Sequence, residues 1–277
     1  MTAEPDPAEH SVDAFLGGLV TLMQPRRGHR AGLDAALLQA IVPREATGHA
    51  VDLGAGVGTV AFSLAARAHA LQVTAVERDP KLLAAAQAAV AWPENSGFAA
   101  RLRMIEADVT ARRKLRESLG LADGCADWVL MNPPFDAPGR ARPSPDEARR
   151  AAHMAQPGTL RTWCRTAAGL LRPGGLLGLI HRAPALPEIF EALAGRFGDM
   201  RILPVYPSQG EPAGRIIVRA VKGSRAGLQI LPGLVLHRAG GAWTDEAEAI
   251  LRGRASLSFH PPATSQAGSN QRSASPS

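Results

Sequence analysis

The sequence predicts an α/β fold, a seven-stranded and mostly parallel sheet with helices on both faces. Three observations predict it. Short apolar runs alternate with helical patterns from about residue 49 to residue 221, the order that lays parallel strands side by side under crossover helices. A glycine-rich turn joins the first such run directly to a helical pattern, and acidic residues close the next two runs. The composition is ordinary for a globular chain, with 45% hydrophobic and 20% charged residues over 277 positions, enough to bury a core without staples.

The strands are expected at 49–53 (HAVDL), 71–76 (LQVTAV), 102–106 (LRMIE), 127–131 (DWVLM), 175–180 (GLLGLI), 200–206 (MRILPVY) and 214–221 (GRIIVRAV). Helices are expected at 57–68, 80–91, 158–171 and 185–197, with a further one at 33–41 ahead of the first strand. Arg172-Pro173-Gly174-Gly175 supplies the stop after 158–171. Residues 1–12 read as an unstructured acidic N-terminus and 13–253 as a single domain whose segment 13–45 is helical. Residues 254–277, rich in Ser, Pro, Gly and Gln, read as an unstructured tail.

The N-terminus has neither the basic nor the apolar region of a secretory signal, and no run of apolar residues is long enough to span a bilayer. A cytoplasmic protein is therefore expected. The two cysteines, Cys125 and Cys164, have no Cys or His neighbours at ligand spacing, which predicts reduced thiols and no metal site. The net charge is +6, and residues 1–13 hold four acids and no Lys or Arg, so the rest of the chain is more basic still. Such a body suits a polyanion such as RNA. Arginine supplies nearly all of that charge, because lysine occurs only at positions 81, 114 and 222. Base composition alone produces the same pattern.

The turn after the first strand reads VDLGAGVGT, with Gly54, Gly56 and Gly58 and with Thr59 where a dinucleotide fingerprint needs its last glycine. Acidic Asp52 precedes the turn, which suits a ligand bearing a cationic amine better than a pyrophosphate. Glu77 ends the second strand and can accept ribose hydroxyls, and Asp108 follows the third. Each acid alone could be a solvated strand end. Three at successive strand ends sit where such sheets bind ligands.

The fourth strand runs into Asn132-Pro133-Pro134-Phe135. Neither proline carries an N–H, so the Asn132 side-chain oxygen and the Pro133 carbonyl can together accept both hydrogens of a planar amine, and Phe135 can stack on a flat group. Positioning and electrostatics would supply the rate.

The D-x-G-x-G-x-G turn resembles motif I of class I S-adenosylmethionine-dependent methyltransferases, of Rossmann-like fold, and NPPF resembles the [N/D]-P-P-[F/Y/W] signature of those acting on amino groups. The resemblance implies S-adenosyl-L-methionine as cofactor, Asp108 at the adenine amine, and Arg78 and Val109 beside Glu77 and Asp108 at the cofactor. Gly32, Asp34, Leu37 and Leu38, with KGSRAGLQILPGLVLH near the C-terminus, resemble the bacterial tRNA1(Val) adenine-N(6) methyltransferase family over roughly 16–252. That implies an exocyclic adenine amine in tRNA as substrate and Asp34 as part of the cofactor pocket. Asp34 can equally cap its own helix.

A basic cluster, Arg26, Arg27, His29 and Arg30, precedes that helix. The segment 136–157 carries Arg140, Arg142, Arg149 and Arg150 against Asp146 and Glu147, with His153 read as structural. Phosphate contacts and a plain solvated surface loop both fit this segment, and Lys222 and Arg225 can extend an RNA path. The alternatives are methylation of a protein glutamine amide or of a guanine amine in ribosomal RNA, a non-catalytic RNA-binding protein, and a dehydrogenase. Glycine spacing disfavours the last. Monomer and homodimer stay open.

Overall fold

The computed structural model describes residues 9–26, 32–134 and 158–259. An N-terminal hairpin pairs β1 (His10–Phe15) antiparallel with β2 (Val20–Pro25). Then follow α1 (Leu33–Gln39), β3 (Thr47–Leu53), α2 (Thr59–Arg67), β4 (Ala70–Glu77), α3 (Pro80–Val90), α4 (Ser96–Ala99), β5 (Leu102–Glu106), α5 (Arg113–Ser118) and β6 (Ala126–Met131). After the undescribed stretch come α6 (Thr159–Leu170), β7 (Leu171–Arg182), α7 (Leu186–Leu193), β8 (Phe197–Ser208), β9 (Arg215–Lys222), β10 (Gln229–Ile230), β11 (Leu234–His237) and α8 (Asp245–Leu251).

The main sheet has the order β10-β8-β9-β7-β6-β3-β4-β5, with β11 also on β8. Only β9 runs antiparallel to its neighbours. The seven strands expected from the sequence are β3 to β9, and the short β10 and β11 extend the sheet. One face packs on α1, α2 and α3 through Leu37, Leu38, Phe62, Leu64, Ala86 and Ala89. The other packs on α6 and α7 through Leu160, Trp163, Cys164, Ile189 and Leu193. The chain leaves β3 for β4 and β5 on one side, then returns to β6 and β7 on the other. The crevice between β3 and β6 is thus the point where the strand order reverses, the place where open α/β sheets bind ligands.

Three expectations need correction. The segment 13–45 is not wholly helical, since it holds β2 and the second half of β1 before α1. Val20, Leu22 and Gln24 turn inward while Thr21, Met23 and Pro25 are half-exposed, the period-two pattern of a half-buried strand. The hairpin is fastened to the domain by Asn95, whose side chain accepts from the Thr21 amide at 3.1 Å and donates to the Thr21 and Ala89 carbonyls. Ordered structure also begins within 1–12, with β1 starting at His10. Finally, the chain remains packed past 254: Leu257 and Phe259 are buried, and the Leu257 amide donates to the Ala40 carbonyl at 2.8 Å. Two apolar side chains in a polar stretch suffice to hold it down. No helix among the described residues is long and apolar enough to cross a membrane.

Candidate active site

Strand register brings the candidate residues to one edge. Leu53 pairs with Val76 on one side and Met131 on the other, so the turn after β3, the end of β4 and Asn132 are level. Glu77 pairs with Glu106, two residues before Asp108. The Gly54 and Ala55 amides both donate to the Val76 carbonyl, at 2.9 and 3.0 Å, which fixes the turn to β4.

Gly54 and Gly56 carry φ of +71° and +58°, a region glycine enters freely and other residues do not. They differ in surroundings. A Cβ at Gly54 would stand 2.3 Å from Trp163 Cη2, whereas one at Gly56 would meet no atom within 4 Å. Gly54 is therefore the contact between turn and α6, and Gly56 presents bare backbone to the crevice. Gly58 sits at the N-cap of α2.

Asp52 is buried at the end of β3, and its Oδ2 accepts from the Ala61 amide at 3.1 Å, satisfying one free donor of the first turn of α2. Burial pushes its carboxyl up from the ordinary 3.8 to about 7; the Ala61 bond opposes the rise and the Glu77 charge adds to it. Glu77 holds backbone: Oε2 accepts from the Gly56 amide at 2.7 Å, and Oε1 accepts from the Arg78 and Asp79 amides at 2.8 and 2.9 Å. With roughly four acceptor positions on a carboxylate, these bonds leave room for one further donor rather than two.

Asp108 accepts from the Thr110 amide and hydroxyl at 2.7 and 2.6 Å and pairs with Arg78 at 3.4 Å. Partial burial by itself would raise its carboxyl, but the Thr110 bonds and the Arg78 charge outweigh it and hold the carboxyl below the usual range. Val109 is buried, and its carbonyl accepts from the Thr166 hydroxyl of α6 at 2.9 Å. Asn132 and Pro134 are half-buried and Pro133 is buried. Phe135, Arg27, His29, Arg30 and the 136–157 segment lie outside the described residues.

Asp34 does not cap α1. Gly32 occupies the N-cap without a side-chain bond, while both Asp34 oxygens accept from Arg215 Nε at 3.1 Å. Sequence reasoning missed three side chains that brace this edge: Trp163 against Gly54, Thr166 on Val109, and Arg215 on Asp34. The buried helical stripe Leu160, Trp163, Cys164, Ala167 was the available signal for Trp163. Arg215 and Asp34 are 181 positions apart, and no local pattern links them.

Comparison with known proteins agrees with this fold. The model of the family described as "Methyltransferase small domain" matches residues 30–203. The chain is 30% identical over 185 residues to the tRNA1(Val) (adenine(37)-N6)-methyltransferase of Porphyromonas gingivalis, covering 63% of this chain and 69% of that protein. It is 32% identical to the 4-amino-L-phenylalanine/4-methylamino-L-phenylalanine methyltransferase of Streptomyces pristinaespiralis, covering 57% of this chain and 53% of that one. Among solved structures, a protein described as a predicted O-methyltransferase from Agrobacterium tumefaciens superposes with a TM-score of 0.70 at 35% identity, covering 81% of this chain and 98% of that one. With well over half of its length inside the family model and the class I sheet beneath it, the chain belongs to the methyltransferase small domain family.

Proposed function

We propose that the protein transfers a methyl group from S-adenosyl-L-methionine to an exocyclic amine, that of an adenine in tRNA. The observation that carries the reading is the position of Asn132-Pro133-Pro134 at the end of β6, level with the glycine turn at the strand-order reversal.

The residues on this edge fit the cofactor. Asp52, buried and with a single amide partner, suits the ammonium of the methionine part. Gly56 leaves backbone open beside it. Glu77 has capacity for one ribose hydroxyl, and the Arg78–Asp108 pair with Val109 stands where the adenine would lie. When bound, the cofactor supplies a methyl group on a positively charged sulfur.

Asn132 Oδ1 and the Pro133 carbonyl accept the two hydrogens of the amine and so turn its lone pair toward the methyl. The amine proton leaves after nitrogen has become cationic, so no strong base is required beforehand. The NPPF signature gives Phe135 the role of stacking on the base. Two named relatives act on amino nitrogen, one in tRNA. RNA is favoured over a small aromatic amine by the basic chain.

Incubation with radiolabelled cofactor and total RNA from a strain lacking the gene, followed by digestion to nucleosides, tests the reading. Label in N6-methyladenosine from the tRNA fraction is expected. Label only in a protein amide or a free amine would replace the substrate. Asn132→Ala is expected to bind cofactor as tightly as wild type and to lose about 100-fold or more in turnover, in line with the removal of one positioned polar group. Undiminished turnover would remove Asn132 from the chemistry.

A further inference from the structure

A second cationic site lies at the opposite edge of the sheet. A depression of about 390 Å³ opens between the turn of the N-terminal hairpin and the end of α8, lined by Gly17, Leu19, Arg44, Arg252, Gly253 and Arg254. All three arginines are exposed. Arg252 bonds Glu248 at 2.9 Å. Among the described residues, neither Arg44 nor Arg254 has a side-chain hydrogen bond or ion pair.

A fourth guanidinium lies directly beneath. A Cβ at Gly253 would stand 3.6 Å from Arg67 Cδ, and Arg67 is buried. Its hydrogen bonds go only to neutral oxygens: Gln39 Oε1 at 2.7 Å, Ser256 Oγ at 2.9 Å and the Gln39 and Val42 carbonyls at the end of α1. Those bonds engage four of its five N–H donors without cancelling its charge. Burial and the nearby Arg44 lower its pKa only to about 10, so it stays cationic at neutral pH. Four guanidiniums thus surround or underlie one depression, against the carboxylates of Glu45 and Glu248.

We infer that this depression is a second phosphate-binding site, which holds a backbone phosphodiester of the RNA whose base is presented at Asn132. The inference rests on the RNA reading above. Arg44 lies three residues before β3, whereas Asn132 follows the end of β6, the parallel partner of β3. The length of β3, seven residues at ~3.3 Å each, sets the two sites roughly 20–25 Å apart. A ligand that engages both must be a long polyanion, which a folded RNA is and a nucleotide is not. Leu19, 47% exposed at the rim, offers a ribose an apolar wall. Contacts of this kind position a nucleic acid without reading its sequence.

The test measures binding of fluorescein-labelled tRNA by anisotropy over a series of salt concentrations. The proteins are wild type, Arg44→Gln/Arg254→Gln and the charge-keeping Arg44→Lys/Arg254→Lys. Both arginines are exposed and, among the described residues, unpaired, so the fold and the affinity for S-adenosyl-L-methionine should stay as in wild type. The Gln variant should bind tRNA about tenfold more weakly, with a salt slope shallower by about 1 to 2; the Lys variant should keep the slope. Equal affinity and slope in wild type and Gln variant would overturn the phosphate site while leaving the RNA reading intact. No tRNA binding by wild type would remove both. Stabilisation of wild type but not of the Gln variant by inorganic phosphate alone, with tRNA binding unchanged, would also overturn it, because the site would then serve a small anion.

Discussion

Two alanine substitutions, two residues apart in the same turn, should fail in different ways. Gly54→Ala meets two obstacles. Its φ of +71° costs an L-residue about 1–2 kcal/mol. Its Cβ would stand 2.3 Å from Trp163 Cη2 and 3.0 Å from Cζ3. The Trp163 ring is buried, so the helix must shift, at about 1–3 kcal/mol. The total, about 2–5 kcal/mol, corresponds to a fall in Tm of roughly 4–20 °C for a domain of this size. Gly56→Ala has the backbone term alone, because no atom lies within 4 Å of the new methyl, and should lower Tm by roughly 2–8 °C. The open space is where the cofactor would lie, so Gly56→Ala should weaken cofactor binding at least about tenfold, the effect of about 1.4 kcal/mol. Calorimetric unfolding and titration with S-adenosyl-L-methionine separate the two effects. In Gly54→Ala/Trp163→Leu the clash should disappear and the backbone term remain, giving a coupling of about 1–3 kcal/mol. Equal loss of Tm in the two single variants, or wild-type cofactor affinity in Gly56→Ala, would refute the assignment of Gly54 to packing and Gly56 to the ligand.

Asp52 makes two pH dependences. Its carboxyl titrates near 7 in the folded chain against 3.8 ordinarily, so the native state holds a proton that the unfolded chain has released. The contribution of this group to stability is complete below about pH 4 and lost as pH rises through 7. A cationic ligand favours the ionised form, so cofactor affinity should climb with pH by up to about tenfold per unit and level off above 7. Titration calorimetry from pH 5 to 8 should show that climb in wild type and a flat profile in Asp52→Asn; matching profiles would exclude Asp52 from the ligand contact. Thr166→Val leaves the buried Val109 carbonyl without its partner at about 1–3 kcal/mol, while Thr166→Ser restores it. The Val variant should lower Tm and raise KM for the cofactor with kcat unchanged, and an unaltered KM would confine Thr166 to the fold.

The parts of the molecule that could be read from the chain are those whose cause is local. β3 to β9 declare themselves as apolar runs, and the turn at Gly54–Gly58 and the stiff Asn132-Pro133-Pro134 follow from backbone chemistry. The N-terminal hairpin was not legible because Asn95, 74 positions from Thr21, is what fastens it. Its six-residue alternation is also too short to outweigh the helical reading of the neighbouring segment. Leu257 and Phe259 hide in a polar tail and gain their burial from Ala40 and from Arg201, which donates to the Phe259 carbonyl. α5, with the sequence RKLRES, has one buried residue, Arg116, and shows no apolar period. At the site the same division holds. The acids at strand ends could be named from sequence, but that Glu77 spends three of its acceptor positions on backbone amides, or that Asp34 turns to Arg215, depends on chain packing.

That use of Glu77 bears on what the site can discriminate. The turn is held in shape by Val76 and Glu77 before any ligand arrives, so little ordering entropy stands against binding. Asp52, by contrast, is a buried carboxylate whose unfavourable environment a cation would relieve. The cation it is proposed to meet, the amino-acid ammonium, is present in S-adenosyl-L-methionine and equally in the demethylated product. Interaction at Asp52 is therefore uniform between substrate and product and adds nothing to the barrier. Only groups around the transferred methyl, Asn132 foremost, can act on the chemical step. Asp52→Asn should accordingly raise the Kd of cofactor and of demethylated product by the same factor and leave single-turnover methyl transfer at saturating cofactor unchanged. A selective loss for the cofactor would place Asp52 near the sulfonium instead, and would require the ligand to lie the other way round in the crevice.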